Sequence, residues 1–222
     1  IVEAMAEFQL PLWVCAIDFK KAFDSVEHDH IWDALHRQNV PHRYIRKLAQ
    51  LYEGQTATIV TDKVSKEFGI GRGTKQGDPI SPKLFNSVLE KAFKSAKKTW
   101  TEKGWGLRVG GGREARLTNL RFADDVLLIA ESEHQLTQML ENLVSETRII
   151  GLEIHMGKTK IMTTEEVGEK KTVKVQGKSI EVLPKEEATM YLGRLLSLQN
   201  MQDVEIEHRI QKGWKKFMSN KD

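Results

Sequence analysis

Arg121-Phe122-Ala123-Asp124-Asp125-Val126-Leu127-Leu128-Ile129-Ala130 is the stretch that decides the fold: two adjacent carboxylates stand at the head of an apolar run suited to a buried β-strand. Desolvating an uncompensated charge costs on the order of several kcal/mol, so a carboxylate there must be paired, protonated or bound to a metal. Successive strand residues point to opposite faces. Both acids can therefore serve one site only if the chain turns tightly between two strands at this point, a geometry Asp tolerates. Taken alone, the doublet also reads as an ordinary hairpin turn on the surface.

It has a counterpart upstream. Trp13-Val14-Cys15-Ala16-Ile17 is a second short apolar run that ends in a carboxylate, Asp18, ahead of Phe19-Lys20-Lys21-Ala22-Phe23-Asp24. If the two runs are neighbours in one sheet, Asp18 joins Asp124 or Asp125 in a cluster of hard oxygen ligands suited to Mg²⁺. Two such ions about 3.5–4 Å apart activate an attacking hydroxyl and stabilise the leaving oxygen of a phosphoryl transfer.

The 222 residues, 40% of them hydrophobic, suffice for one large or two small domains with a real core. No apolar stretch approaches the ~18 residues of a membrane span, so no membrane partner is expected. The chain opens on Ile1 with neither an initiator Met nor a signal-peptide pattern, and reads as a piece of a longer polypeptide. A single cysteine, Cys15, excludes an internal disulfide framework and fits a reducing compartment. Net charge is +3, and residues 157 to 222, with thirteen Lys or Arg against ten Asp or Glu, carry that excess. Arg209, Lys212, Lys215 and Lys216 fall at helical spacing beside Trp214 and Phe217. That stripe reads either as a track for a phosphate backbone or as the solvated face of an amphipathic helix.

Periodicity predicts a helix over 26–38 with Ser25 as N-cap, a second over 42–53 closed by Gly54, and a hairpin of 56–60 with 64–70. Ser81 is the expected N-cap of a helix running to Lys98, with Pro82 at its first position. Residues 105–109 and 115–122 flank Gly110-Gly111-Gly112 as a hairpin leading into the carboxylate doublet. Ser132 with Gln135 opens a helix that Gly151 closes, and Gln176-Gly177 turns a last hairpin over 171–182. Helices mixed with short antiparallel strands make an α+β pattern.

Gly71-Arg72-Gly73-Thr74-Lys75-Gln76-Gly77-Asp78-Pro79, glycine-rich and cationic ahead of a helix, reads as a nucleotide contact or as a plain surface loop. Gly157-Lys158-Thr159 echoes the end of a P-loop, but Leu152 stands where the earlier glycine is required. Lys158 is either a solvated lysine or a proton donor to a leaving pyrophosphate. His28, His30, His36 and His42 lack metal-site spacing and read as helix-surface residues.

Taken in order, these segments resemble the palm of a reverse transcriptase, with the closest similarity to non-LTR (LINE-type) retrotransposons, the RTE clade among them. Residues 16–26, Ala16-Ile17-Asp18-Phe19-Lys20-Lys21-Ala22-Phe23-Asp24-Ser25-Val26, resemble motif A; 72–82 resemble motif B; Phe122-Ala123-Asp124-Asp125 resembles motif C. Residues 151–160 resemble motif D and Tyr191-Leu192-Gly193 the primer grip. The resemblance implies an antiparallel sheet with a ferredoxin- or RRM-like core and helices packed on one face, a palm over 1–198 and the start of a thumb helix over 199–222. It makes Asp18, Asp124, Asp125 and the Phe19 carbonyl the ligands of two Mg²⁺, for which Mn²⁺ can substitute. Ala22, Phe23, Gln76 and Gly77 become nucleotide-binding positions, Phe23 as the gate against a ribose 2′-hydroxyl, and Lys158 becomes the general acid. An RNA template, a DNA primer and dNTPs are the implied partners, and the implied location is intracellular, nucleus and cytoplasm for a eukaryotic retroelement.

Two departures stand out. His155 occupies a place where non-LTR enzymes usually have Asn. The basic fingers, most of the thumb and the endonuclease of such elements are expected in other parts of the same polyprotein. The alternatives are a non-catalytic nucleic-acid-binding remnant, and a related polymerase such as an RNA-dependent RNA polymerase or a group II intron maturase, although a bulky gate argues against RNA synthesis.

Overall fold

Two continuous apolar runs, each with a carboxylate at one end, become neighbouring central strands. The computed structural model describes residues 5, 10–75, 77–109, 115–168, 170–199 and 201–219. In chain order the elements are β1 (Trp13–Ile17), α1 (Ala22–Ser25), α2 (His28–Arg37), α3 (His42–Tyr52), β2 (Thr56–Ala57), β3 (Phe68–Gly69) and α4 (Ser81–Glu102). There follow β4 (Leu107–Arg108), β5 (Arg116–Leu117), β6 (Asn119–Phe122), β7 (Asp125–Ala130), α5 (Glu133–Ile149) and β8 (Lys160–Thr163). The chain continues through β9 (Thr172–Val175), β10 (Lys178–Val182), β11 (Thr189–Tyr191), β12 (Arg194–Leu196) and α6 (Met201–Ser219).

The main sheet has six strands in the order β6-β7-β1-β8-β10-β9. Every pairing in it is antiparallel except β8 with β10. The chain divides into two compact units, one of residues 1–18, 99–141 and 155–222, the other of 19–98 and 142–154. The first holds the whole sheet, the β4–β5 and β11–β12 hairpins and α6. Its core lies on the sheet face that carries Val14, Ala16, Leu127, Ile129 and Met162, closed over by Leu12, Leu107, Leu183 and Leu198. Trp13, Cys15, Val126 and Leu128, which alternate with them, are buried as well. Burial on both faces explains why β1 and β7 read as unbroken apolar runs instead of alternating. Burial also pushes the Cys15 thiol far up, which leaves it an inert core residue.

The second unit holds α1, α2, α3, the β2–β3 hairpin, most of α4 and the end of α5. Its helix starts differ from the sequence expectation. Ser25 ends α1, and its hydroxyl donates to the Lys20 carbonyl; Glu27 occupies the N-cap of α2. Ser81 is the first residue of α4, and its hydroxyl donates to the Lys75 carbonyl, while the Asp78 carboxylate accepts the Ile80 N–H just ahead of the helix. In both cases a short polar side chain bonds a nearby carbonyl in place of the helix's own free N–H groups. α4 also runs past Lys98 to Glu102. The Ser132 cap of α5 is present, its hydroxyl accepting the Gln135 N–H, and Gly151 closes that helix with φ +80. Gly110-Gly111-Gly112 lie outside the described residues. Among the described residues no helix is long and apolar enough to cross a membrane.

Candidate active site

The carboxylates are placed by strand register. β1 pairs with β7 so that Ile17 faces Val126, and that register, continued one step past the end of β1, would put Asp18 across from Asp125. Directly opposed antiparallel residues have Cβ atoms about 4.5–5.5 Å apart. β6 pairs with β7 as far as Phe122 opposite Asp125, which leaves Ala123 and Asp124 as a two-residue turn. Ala123 takes φ +54 to make it. That left-handed conformation costs an L-residue roughly 1–2 kcal/mol, strain of the sort that collects at functional positions. The tight turn foreseen from the sequence is therefore present, and the three acids lie at one end of two neighbouring strands.

Their charges act on one another. Burial, then the Asp124 charge, then the Asp18 charge hold the Asp125 carboxyl above its ordinary range. Among the described residues none of the three has an ion-pair partner, and no three His, Cys, Asp or Glu side chains are already arranged to hold a metal ion. Uncompensated like charges are held near each other by the backbone while their side chains stop short of convergence.

The loop after α5 clips onto Asp18. The His155 N–H donates to the Asp18 carbonyl at 2.7 Å, and the Thr159 hydroxyl accepts the Asp18 N–H at 3.3 Å. Thr159 is fully buried, whereas Lys158 beside it is exposed. Tyr191, at the end of β11, is also close to the cluster: burial and then the Asp125 charge raise its phenol. The Leu192-Gly193 tip has positive φ at both residues, +51 and +74, as a two-residue hairpin turn requires. Beside it a cavity of about 610 Å³ is lined by Tyr191, Leu192, Leu195, Leu196, Ile206 and Arg209, among others. Glu205 ties α6 to this hairpin by accepting the Leu195 N–H at 2.8 Å while pairing with Arg209.

In the second unit, Phe23 lies on α1, its ring 4.6 Å from that of the fully buried Phe85 and inclined by 31°. Ala22 beside it is buried. The 71–75 loop is latched to this segment through the backbone: the Thr74 N–H donates to the Phe23 carbonyl and the Gly73 N–H to the Val26 carbonyl, both at 2.7 Å. His28 Nε2 completes the latch by donating to the Gly73 carbonyl at 2.9 Å. Gly73 has φ +90, and a Cβ there would sit 3.0 Å from the Asp24 Cα and carbonyl oxygen. His28 is thus a structural tie, a role its helical spacing did not reveal. Gly77 is exposed with φ +84, and Gln76 lies outside the described residues.

A family model described as reverse transcriptase (RNA-dependent DNA polymerase) matches residues 2–195. The chain belongs to the reverse transcriptase family. Within it, the chain is similar to Pol polyproteins of R2 non-LTR retrotransposons. The Pol polyprotein of the R2DM retrotransposable element of Drosophila melanogaster is 33% identical over 148 residues, 66% of this chain and 13% of that protein. The R2 Pol polyprotein of Nasonia vitripennis is 31% identical over 166 residues, 74% of this chain and 15% of that one. The chain therefore spans a small part of these relatives. Telomerase from Candida tropicalis, solved in complex with a fragment of telomeric RNA, superposes with a TM-score of 0.59 at 13% identity over 90% of this chain and 32% of its own. This likeness shows the fold, a reverse-transcriptase palm with a mostly antiparallel sheet.

The carboxylate end of that palm suits a divalent ion. Its donors are hard oxygens, and the Asp125 carboxyl is held above its ordinary range first by burial and then by the Asp124 and Asp18 charges, which a cation would offset.

Proposed function

We propose that this chain forms the palm, over 1–198, and the first thumb helix, over 199–222, of an RNA-directed DNA polymerase. The observation that carries the reading is the β6–β7 turn set against β1, which brings to one strand end three carboxylates that have no ion-pair partner among the described residues. Asp18, Asp124, Asp125 and the Phe19 carbonyl would hold two Mg²⁺, with Mn²⁺ a working substitute. When bound, such ions supply Lewis acidity toward the attacking hydroxyl and the phosphoryl oxygens.

The chain's own residues do the positioning. Tyr191-Leu192-Gly193 hold the primer end; Gln76, Gly77 and Ala22 border the incoming dNTP; Phe23 closes the space a ribose 2′-hydroxyl would need. The primer O3′ gives its proton to solvent water and bonds to the α-phosphorus, the bond to pyrophosphate breaks, and the Lys158 ammonium supplies a proton to that leaving group. Orientation and charge stabilisation carry the rate, with no covalent enzyme intermediate. The RNA template, DNA primer and dNTPs are the partners. Fingers, the remaining thumb and an endonuclease belong to the same polyprotein, which works in the nucleus and cytoplasm of its host.

Primer extension on an RNA template with Mg²⁺ and dNTPs, in a protein that includes the fingers, tests this. Incorporation by the parent that is lost in Asp124→Ala supports it. Equal extension by both removes the metal assignment, and salt-dependent RNA binding without any incorporation would favour a non-catalytic remnant.

A further inference from the structure

The structure gives the His155 ring a task. The Lys158 N–H is shared between the His155 carbonyl at 3.0 Å and the His155 Nδ1 at 3.2 Å. For Nδ1 to accept, its lone pair must be free, which leaves the ring proton on Nε2. The ring folds back over the loop, since a Cβ built on Gly157 would lie 3.5 Å from its Cε1. The same residue's main chain is anchored in the opposite direction, its N–H on the Asp18 carbonyl and its carbonyl accepting from Thr159 at 2.9 Å. Thr159 in turn accepts the Asp18 N–H. Residues 155 to 159 therefore form a closed clip on the backbone of Asp18, and the His155 ring adds a side-chain acceptor at the Lys158 N–H, where the main chain leaves that clip. An Asn at 155 would also offer an acceptor, Oδ1, to the N–H three residues on.

We propose that His155 is a positioning residue that orients Lys158 relative to Asp18 by accepting its N–H, acting through acceptor geometry and not as a proton donor. This rests on the reading of Lys158 as general acid. A misplaced general acid forfeits part of its rate contribution while leaving nucleotide affinity largely intact.

Single-turnover dNTP incorporation by the intact protein tests it, with rate and dNTP affinity measured separately. His155→Ala is expected to slow incorporation by about 10- to 100-fold with dNTP affinity near that of the parent. His155→Asn is expected to recover most of that rate, and His155→Phe, which keeps the ring volume without the acceptor, to behave like His155→Ala and to serve in its place if the smaller variant does not fold. On a Lys158→Ala background, removing the His155 acceptor is expected to cost nothing further. Parent-like rates in His155→Ala or His155→Phe, equal losses in His155→Asn, or undiminished losses on the Lys158→Ala background would each overturn the proposal. Lys158→Ala that incorporates like the parent would instead remove the general-acid reading, and with it the role of His155.

Discussion

The carboxylate end of the main sheet and the 71–75 loop are built in opposite ways. Asp18 and Asp125 hold their places because two fully paired, doubly buried strands share one register, with a strained two-residue turn adding Asp124. The 71–75 loop has no ladder; three hydrogen bonds and the missing side chain of Gly73 press it onto the segment that carries Phe23. A register cannot slip by one residue without moving the whole hydrophobic set to the other face, whereas a latch yields to a single methyl group. On the proposed function, the groups that must keep their mutual geometry sit on the register, and those assigned to substrate selection sit on the latch.

The largest effect is expected on the register side. Asp18→Ala should lower primer extension by on the order of 10³-fold or more, since several kcal/mol of charge stabilisation is lost, while far-UV circular dichroism stays native. Residual activity within tenfold of the parent would break the contrast. On the latch side, Gly73→Ala places a Cβ against the Asp24 backbone at positive φ and should destabilise by about 1–3 kcal/mol in urea melts. No shift in midpoint would mean the loop is free of Asp24.

A smaller, selective effect is expected at Phe23. Phe23→Val should raise ribonucleotide use relative to deoxynucleotide use by roughly tenfold, about 1.4 kcal/mol of discrimination, with dNTP incorporation less affected. Unchanged sugar selectivity would sink the gate assignment. The smallest effect concerns charge. Because the Asp125 carboxyl is raised in the fold, its stabilising contribution is complete below the ordinary Asp range and is lost as pH rises through the folded value. In metal-free buffer, Asp125→Asn should therefore melt above the parent at pH 7, with the difference shrinking toward zero below about pH 4. A pH-independent difference would assign the effect to packing.

The register side was legible in the sequence and the latch side was not. Two apolar runs with acids at their ends suffice to propose adjacent buried strands, and an Asp doublet between strands suffices to propose a turn, because both follow from side-chain alternation and the cost of burying charge. The helix starts at Ser25 and Ser81 were misassigned for a local reason: each hydroxyl found a carbonyl a few residues away. The His28 to Gly73 bond, the clip of His155 and Thr159 on Asp18, and the field of Asp125 at Tyr191 join residues 45 or more apart in the chain, and no periodicity reports such meetings. Ordered motifs identified the segments, yet contact between them became visible only with the fold.

As proposed, the turn of β6 and β7, set against Asp18, is a divalent-ion site. Mn²⁺ binding to the intact protein with primer, template and dNTP, followed by loss of the free-ion electron paramagnetic resonance signal, tests it most directly. The expected result is two ions per chain in the parent and at least one fewer in Asp124→Ala; the same stoichiometry and affinity in both would contradict it.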